Sequence, residues 1–392
     1  MIKKKKIVLA YSGGLDTSVA IKWLMERNYE VICYMGDVGQ GADVEKSRKK
    51  ALQIGAKKCI VGDLKERFVK DYAFRALRTG ALYQGKYNLA TALSRPIIAE
   101  DMTVVAKKEK ADAISHGCTG KGNDQVRFEV TFHVKAPKLK VIAPVREWEL
   151  TTRESEIDYA KKHKIPIEQT KKKLYSIDAN LWGISVEGGE LEDPWNEPLK
   201  NTYISINRPE EAPGKAEYVN ITFEKGIPVA VNAKKYGAVQ LVEKLNKMGG
   251  RHAIGRVDMI EDRLVGIKSR EVYEAPASAI LYAGHNALEE LVLDRETRRY
   301  KQCLSQRYSE LVYNGLWFTP LKQAIDAFVD NTQKNVSGEV KLKLYKGSVT
   351  VCARKSPKSR YNIKMATYGE GDMFDQSLAK GFIDLWAMPY RN

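Results

Sequence analysis

The chain has 392 residues, more than one hydrophobic core ordinarily organises, which predicts two domains with minor appendages. At 43% hydrophobic and 29% charged residues it can bury a sizeable core, which excludes a disordered chain. The formal net charge is +16, yet apart from runs at 3–6 and 171–173 the basic residues are interspersed with acids, which reads as a solvated basic surface and not a nucleic-acid stripe.

From residue 7 to about 145, short apolar runs alternate with helical patterns. Strands are predicted at 7–11, 31–34, 59–61, 113–115 and 141–143, and helices at 17–27, 44–55, 64–77 and 95–109, with Gly55 ending the second helix as a left-handed cap. This alternation is the signature of βαβ units and a parallel sheet. After Glu147, Thr151 and Glu154 stand at capping-box spacing and should start a helix that runs to about Lys164 and is stopped by Ile165-Pro166. The first domain is therefore set at 1–167.

Downstream, 218–232, 257–268 and 340–353 read as antiparallel hairpins about Lys225-Gly226, Asp262-Arg263 and Lys346-Gly347. A long helix or helix pair over 287–313, and another helix after Pro320, should cover that sheet, giving an α+β second domain over 168–365. The remaining arm, 366–392, carries Leu378, Phe382, Ile383, Leu385 and Trp386 at helical spacing, too apolar for a solvated end. It is expected to dock, with another subunit as one candidate. No run approaches the ~20 apolar residues of a membrane helix, and the lysine-rich start lacks the apolar stretch of a signal peptide, so a cytoplasmic protein is expected. Cys33, Cys59, Cys118, Cys303 and Cys352 lie far apart, without the spacing of a zinc site.

The chemistry is concentrated in Ala10-Tyr11-Ser12-Gly13-Gly14-Leu15-Asp16-Thr17-Ser18, between the first strand and the first helix. Backbone amides at a helix N-terminus bind phosphate, Gly13 and Gly14 permit a tight turn and close approach of an anion, and the hydroxyls of Ser12, Thr17 and Ser18 can donate. Asp16 amid phosphates makes sense as a partner of Mg2+. A common P-loop is excluded, because it needs four residues between its first glycine and the Gly-Lys pair and Gly117 to Lys121 offers two. A second signature, His116-Gly117-Cys118-Thr119-Gly120-Lys121-Gly122-Asn123-Asp124-Gln125-Val126-Arg127-Phe128, falls at the C-terminal end of a predicted parallel strand, where such sheets bind ligands.

The first motif resembles the PP-loop ATP pyrophosphatases, which cleave ATP between its α and β phosphates to adenylate a carbonyl oxygen. Together the two motifs resemble the argininosuccinate synthase family, and further matching segments at 36–41, 87–96, 140–144, 175–180, 191–195, 257–270 and 343–347 extend the likeness over nearly the whole chain. The resemblance implies an α/β, Rossmann-like nucleotide-binding domain followed by an α+β synthetase domain and a C-terminal helical arm. It implies a cytoplasmic homotetramer that ligates L-citrulline and L-aspartate through a citrullyl-adenylate, with ATP and Mg2+. By the same resemblance Ala10, Tyr11, Ser12, Gly13, Gly14, Leu15, Asp16, Thr17, Ser18, Gly36 and Gly117 would hold ATP. Thr119, Asn123 and Asp124 would hold aspartate, and Tyr87, Asn123, Arg127, Ser176, Ser185, Glu261 and Tyr273 citrulline. Asp16 and Asp124 are the catalytic candidates, with Asp124 as a base for aspartate's amine; His116 is expected only to brace its loop.

The chain departs from the usual family pattern at Ala92, where a serine hydroxyl is expected near citrulline's carboxylate, at Cys118 in place of alanine, and at Glu271 in place of glycine. Two other readings stay open on the residues. One is a PP-loop tRNA-modifying adenylating enzyme with Cys118 as its lone sulfur candidate, and the other a nucleotide-binding regulatory homologue without catalysis.

Overall fold

The structure, a computed structural model, describes residues 4–41, 44–166 and 175–391. Its first sheet is parallel, with β1 (Lys5–Ala10), β2 (Tyr29–Asp37), β3 (Lys58–Asp63), β4 (Ala113–Ser115) and β5 (Lys140–Ile142) in the order β3-β2-β1-β4-β5. Chain order reverses direction between β1 and β4, so the loops leaving those two strands flank one crevice, the usual ligand position in such a sheet. Strand alternation divides the core. Ile7, Leu9, Val31 and Cys33 pack under α1 (Leu15–Glu26), α2 (Val44–Ile54) and a later helix, whereas Val8, Ile32, Tyr34 and Ile114 pack under α3 (Ala90–Glu109) and α4 (Asp124–Lys135).

Four details differ from the sequence expectation. The helix predicted at 95–109 begins at Ala90, because Leu89 adopts a left-handed conformation (φ 64°) and turns the chain into it. The helix predicted over 64–77 is broken into Lys65–Arg67, a π-helical turn Phe68–Ala73, and Phe74–Thr79, ended by Gly80 at φ 79°. Helix α4 was not expected. The helix after Glu147, α5 (Arg153–Lys162), is capped by Thr152 and Ser155, one residue later than the Thr151/Glu154 spacing suggests. The expected boundary between residues 167 and 168 lies outside the described residues, as does the basic run 171–173.

The second half contains β6 (Ser176–Asn180), β7 (Gly183–Glu187), β8 (Glu217–Glu224), β9 (Ile227–Val231), β10 (Lys234–Lys235), α6 (Ala238–Arg251), β11 (Arg256–Asp262), β12 (Lys268–Glu274), α7 (Pro276–Val292), α8 (Arg295–Tyr313), α9 (Pro320–Gln333), β13 (Gly338–Tyr345) and β14 (Ser348–Lys355). They form two antiparallel sheets, β10-β9-β8-β13-β14 and β11-β12-β7-β6. The turns at Lys225-Gly226 (φ 51° and 78°) and Lys346-Gly347 (φ 43° and 86°) are the tight two-residue connections expected. The third hairpin turns later than expected: β11 runs through Asp262, and residues 263–267 make a longer loop in which Gly266 has φ 86°. The helical stretch near 287–313 is a pair, α7 and α8, divided at Asp294, which caps α8 by accepting from Thr297 N at 2.9 Å.

The large core between these elements joins Val219, Ile221 and Phe223 of β8 and Val340, Leu342 and Leu344 of β13 to Leu241 and Leu245 of α6 and Ile280, Leu281 and Leu288 of α7. Phe68, Phe74, Leu77, Leu89 and Leu93 belong to the same core. The broken segment after β3 and the start of α3 therefore fasten the parallel-sheet half onto the antiparallel half. At the far end is α10 (Leu378–Ala387), whose Leu378, Phe382, Ile383, Leu385 and Trp386 are 59–69% exposed.

Candidate active site

The loop after β1 is shaped by close packing. Gly13 has φ 82°, and a Cβ there would stand 2.6 Å from Ser47 Oγ of α2, so only glycine fits. Gly14 caps α1 with no side-chain acceptor on the first-turn amides, which leaves that helix start available to an anion. Ser12 Oγ lies 3.1 Å from Thr17 Oγ1 and accepts from Gly14 N at 3.3 Å, and Lys50 Nζ donates to Gly13 O at 2.9 Å, bringing a cation to the turn. Tyr11 is buried, its N–H donating to Tyr34 O at 2.8 Å and its hydroxyl lying 3.4 Å from Ser18 Oγ. Gly36, late in β2, would place a Cβ 2.8 Å from Ile98 Cγ1.

The loop after β4 leans on this turn: a Cβ on Gly117 would lie 2.7 Å from Thr17 Cγ2. His116 is fully buried. Its Nδ1 accepts from Cys118 N at 3.2 Å, which leaves Nε2 to donate to Glu129 at 2.9 Å, so the imidazole braces the loop. Gln125 Nε2 donates to Gly120 O and Gly122 O at 2.6 and 3.2 Å, and Arg146 ties Gln125 and Glu129 together at 2.8 and 2.6 Å. Thr119 is exposed at the crown of the loop. Burial and the Asp124 carboxylate push the Cys118 thiol well up, which disarms it as a sulfur nucleophile.

Asp16 stands in the first turn of α1 beside a group that sequence reasoning missed, Glu156 of α5. Burial and the hydrogen-bonded Asp16 carboxyl push Glu156 up to about 8, and its Oε2 is buried without a hydrogen-bond partner. Two carboxyl groups therefore share one position at the phosphate end.

Beyond the second loop lies one face of the sheet β11-β12-β7-β6. Tyr273 pairs with Ser185 and Val257, Ser185 with Asp178, Ser176 with Glu187, Glu271 with Met259 and Glu261 with Ser269, so period-2 alternation puts Ser176, Asp178, Ser185, Glu187, Glu261, Glu271 and Tyr273 on the same side. Tyr87 stacks on Tyr273 with centroids 4.1 Å apart, and its hydroxyl accepts from Thr91 N and Ala92 N at 3.0 and 3.4 Å at the start of α3. Ser176 is exposed on the edge strand β6, opposite Glu187.

Helix α4 supplies the opposite wall. Asn123 donates to Tyr313 Oη at 2.8 Å and accepts from Leu264 N at 2.9 Å, clasping α8 and the loop after β11. Arg127 is 4% exposed. Its Nε donates to Tyr313 O and its Nη1 to Asp124, both at 2.9 Å, while Nη2 is buried with no partner. Asp124 also accepts from Arg95 Nε at 2.8 Å, and Arg95 bonds Asp178. Burial alone would raise the Asp124 carboxyl, but Arg95 and Arg127 outweigh it and hold the group below the usual carboxylate range. Arg95, Asp178, Glu187, Arg263 and Tyr313 were not anticipated as site residues. Arg95 lies inside the matching segment 87–96, whereas Tyr313 carries no local signal at all.

Comparison with known proteins follows the same division. Residues 6–166 match the family model described as Arginosuccinate synthase N-terminal HUP domain, and residues 175–392 the Arginosuccinate synthase C-terminal domain. An argininosuccinate synthase of Caldanaerobacter subterraneus subsp. tengcongensis is 56% identical over 390 residues, covering 99% of this chain and 95% of the relative. One from Aquifex aeolicus is 52% identical over 392 residues, covering 100% of this chain and 98% of the relative. One from Desulfitobacterium hafniense strain Y51 is 52% identical, covering 100% and 96%.

Proposed function

The chain belongs to the argininosuccinate synthase family, and from that premise we propose a role for each group around the two loops. The enzyme is an ATP-dependent, AMP-forming carbon–nitrogen ligase of arginine biosynthesis, joining citrulline to aspartate through a citrullyl-adenylate with release of pyrophosphate. We assign ATP to residues 10–18, Gly36 and Gly117. The contact that would seat a Gly117 Cβ 2.7 Å from Thr17 is the observation that carries the assignment, because it joins the phosphate turn to the loop that ends at Asn123 and Asp124.

In this reading the ureido oxygen of citrulline attacks the α-phosphorus while the amides of the first turn of α1, with Lys50 beside Gly13, stabilise the departing pyrophosphate. Arg127 offers its unpartnered Nη2 to citrulline's carboxylate, and Glu261, held by the Tyr273 hydroxyl, accepts from its ammonium, with Tyr87, Asn123, Ser176 and Ser185 completing the pocket. Asp124, ionised between two guanidiniums, accepts from the ammonium of aspartate with Thr119 and Asn123 and aims the amine that displaces AMP. Much of the acceleration is alignment of three substrates.

Mg2+ is proposed as the companion of ATP, held by Asp16. The residues fit a divalent cation, since Asp16 and Glu156 bring two carboxyl groups together and Glu156 Oε2 is buried without a partner. When bound, the ion neutralises phosphate charge.

The chain is proposed to divide at 1–167, 168–365 and 366–392 and to assemble as a homotetramer through the arm, whose exposed apolar stripe on α10 is costly in water. Removal of 366–392 should lower the sedimenting mass to that of a smaller assembly, and an unchanged mass would rule the arm out. A cytoplasmic location suits the neighbouring free thiols Cys33 and Cys59, paired in register on β2 and β3. The activity is tested by pyrophosphate release from ATP, which should require citrulline and yield argininosuccinate only when aspartate is added. Release indifferent to citrulline would refute the assignment of the acceptor.

A further inference from the structure

We propose that Glu271, which no comparison assigns to the site, forms with Glu261 a two-carboxylate receptor for the ammonium of citrulline, and that the receptor gives up a shared proton when the ammonium enters. The inference rests on the reading of this pocket as the citrulline site and adds to it a residue and a proton.

The Tyr273 hydroxyl lies 2.7 Å from Glu261 Oε2 and 2.9 Å from Glu271 Oε2, yet it has one hydrogen to give. Tyr313 cannot supply a second to Glu271, because its hydroxyl receives from Asn123 Nδ2 at 2.8 Å and spends its own hydrogen on Glu261 Oε1 at 2.7 Å. Both carboxylates can keep their contact with Tyr273 only if one carboxyl is protonated. The other groups around Glu271 agree. Burial and the Glu261 charge from β11 push Glu271 up to about 7. Arg263 opposes that shift, donating to Glu271 Oε1 at 3.0 Å while also bonding Glu187 of β7, itself raised by burial and by Glu271. Tyr87 and Arg127 line the same space, and Asp124 is already occupied by Arg95 and Arg127.

A second, independent observation points to the shape of the ligand. Arg127 is almost wholly buried, and its Nη2 has no partner. Its guanidinium lies over the ring of Tyr313, 4.9 Å from the centroid, and the hydroxyl of that ring bonds Glu261. An unsatisfied guanidinium and a carboxyl pair bridged by one tyrosine suit the two ends of an amino-acid zwitterion. The carboxyls of Asp124, Asp178, Glu187, Glu261 and Glu271 outnumber the guanidiniums of Arg95, Arg127 and Arg263 by two, an excess that favours an incoming ammonium.

Below about pH 7 the incoming ammonium must expel the proton, so citrulline binding should weaken by up to tenfold per pH unit as pH falls. The test uses the full-length enzyme, wild type and Glu271→Gln, with citrulline KM and kcat followed from pH 5.5 to 8.5. Proton release on citrulline binding is read by calorimetry in two buffers of different ionisation enthalpy. Wild type should release close to one proton at pH 6. Glu271→Gln should release none, flatten the pH profile, and raise citrulline KM by roughly 10-fold or more with the KM of ATP unchanged; Glu271→Asp should recover part of the loss. Wild-type binding without proton release, or a Glu271→Gln profile matching wild type, overturns the proposal whether or not the variant folds well. An enzyme that releases no pyrophosphate with citrulline would instead overturn the assignment of the pocket.

Discussion

The proposed phosphate end of the site is one stretch of chain, residues 10–18, with Gly117 of the second loop packed against its Thr17. The proposed amino-acid end draws Tyr87, Arg95, Asn123, Asp124, Arg127, Ser185, Glu261, Glu271, Tyr273 and Tyr313 from two loops, three helices and three strands. In that proposal backbone amides and a helix start serve the first, so its chemistry should survive most changes of side chain except at its glycines and Asp16. The second is a network of charged and polar side chains that bond one another and leave Arg127 Nη2 without a partner, so a change to one is felt by its neighbours.

The sharpest test of that contrast is Asp16→Asn. If the phosphate end depends on its carboxylate to organise metal and phosphate, turnover should fall by roughly 10²–10³-fold while circular dichroism and melting stay near wild type. Near-normal pyrophosphate release would show that amides alone suffice. At the other end, Arg127→Gln should raise citrulline KM by roughly 10–100-fold, since it removes the unpartnered Nη2 and one of the two cations on Asp124. Because Asp124 loses a neutralising partner, its titration should move up, and the aspartate KM should rise too at acidic pH. An aspartate KM that does not respond would mean the two substrates are held independently.

Gly117→Ala probes the seam between the ends. The added methyl would meet Thr17 Cγ2 at 2.7 Å, so the loops must part by a few tenths of an ångström. We expect a loss of about tenfold in kcat/KM for ATP with little change in citrulline KM, as measured by initial rates. Equal losses for both substrates would mean the seam transmits the strain to the amino-acid end.

The same contrast explains what could be read in advance. The parallel sheet, α1, α2 and the phosphate turn were legible because strand, glycine turn and helix are contiguous and each segment's pattern agrees with its structure. Helix α4 was not legible. Val126, Phe128, Val130, Phe132 and Val134 alternate as in a strand, yet burial follows the helical pair Phe128 and Phe132, and Val134 is left half exposed. The hairpin β6–β7 is too short and polar to announce itself, and Arg95, Asp178, Arg263 and Tyr313 acquire meaning only when the sheet face and α8 are brought together. Asp124, expected as a base, stands between two arginines that favour its ionised form and weaken it for that role, a relation no spacing in the chain displays.

The smallest expected effect concerns where α5 begins. Thr152 Oγ1 accepts from Ser155 N at 3.1 Å and Ser155 Oγ accepts from Thr152 N at 3.1 Å, whereas the spacing in the sequence favoured Thr151 with Glu154. Thr152→Ala should cost about 1 kcal/mol in denaturant melts, and Thr151→Ala close to nothing. The cap matters for the site, because Glu156, which meets Asp16, lies in the first turn that Thr152 and Ser155 hold. Thr152→Ala should therefore also raise the KM for ATP by about twofold through a loosened Glu156, an effect that Thr151→Ala should lack. If the two variants behave alike, the start of α5 is held by its packing against α1 and not by its cap, and the position of Glu156 is independent of the capping box.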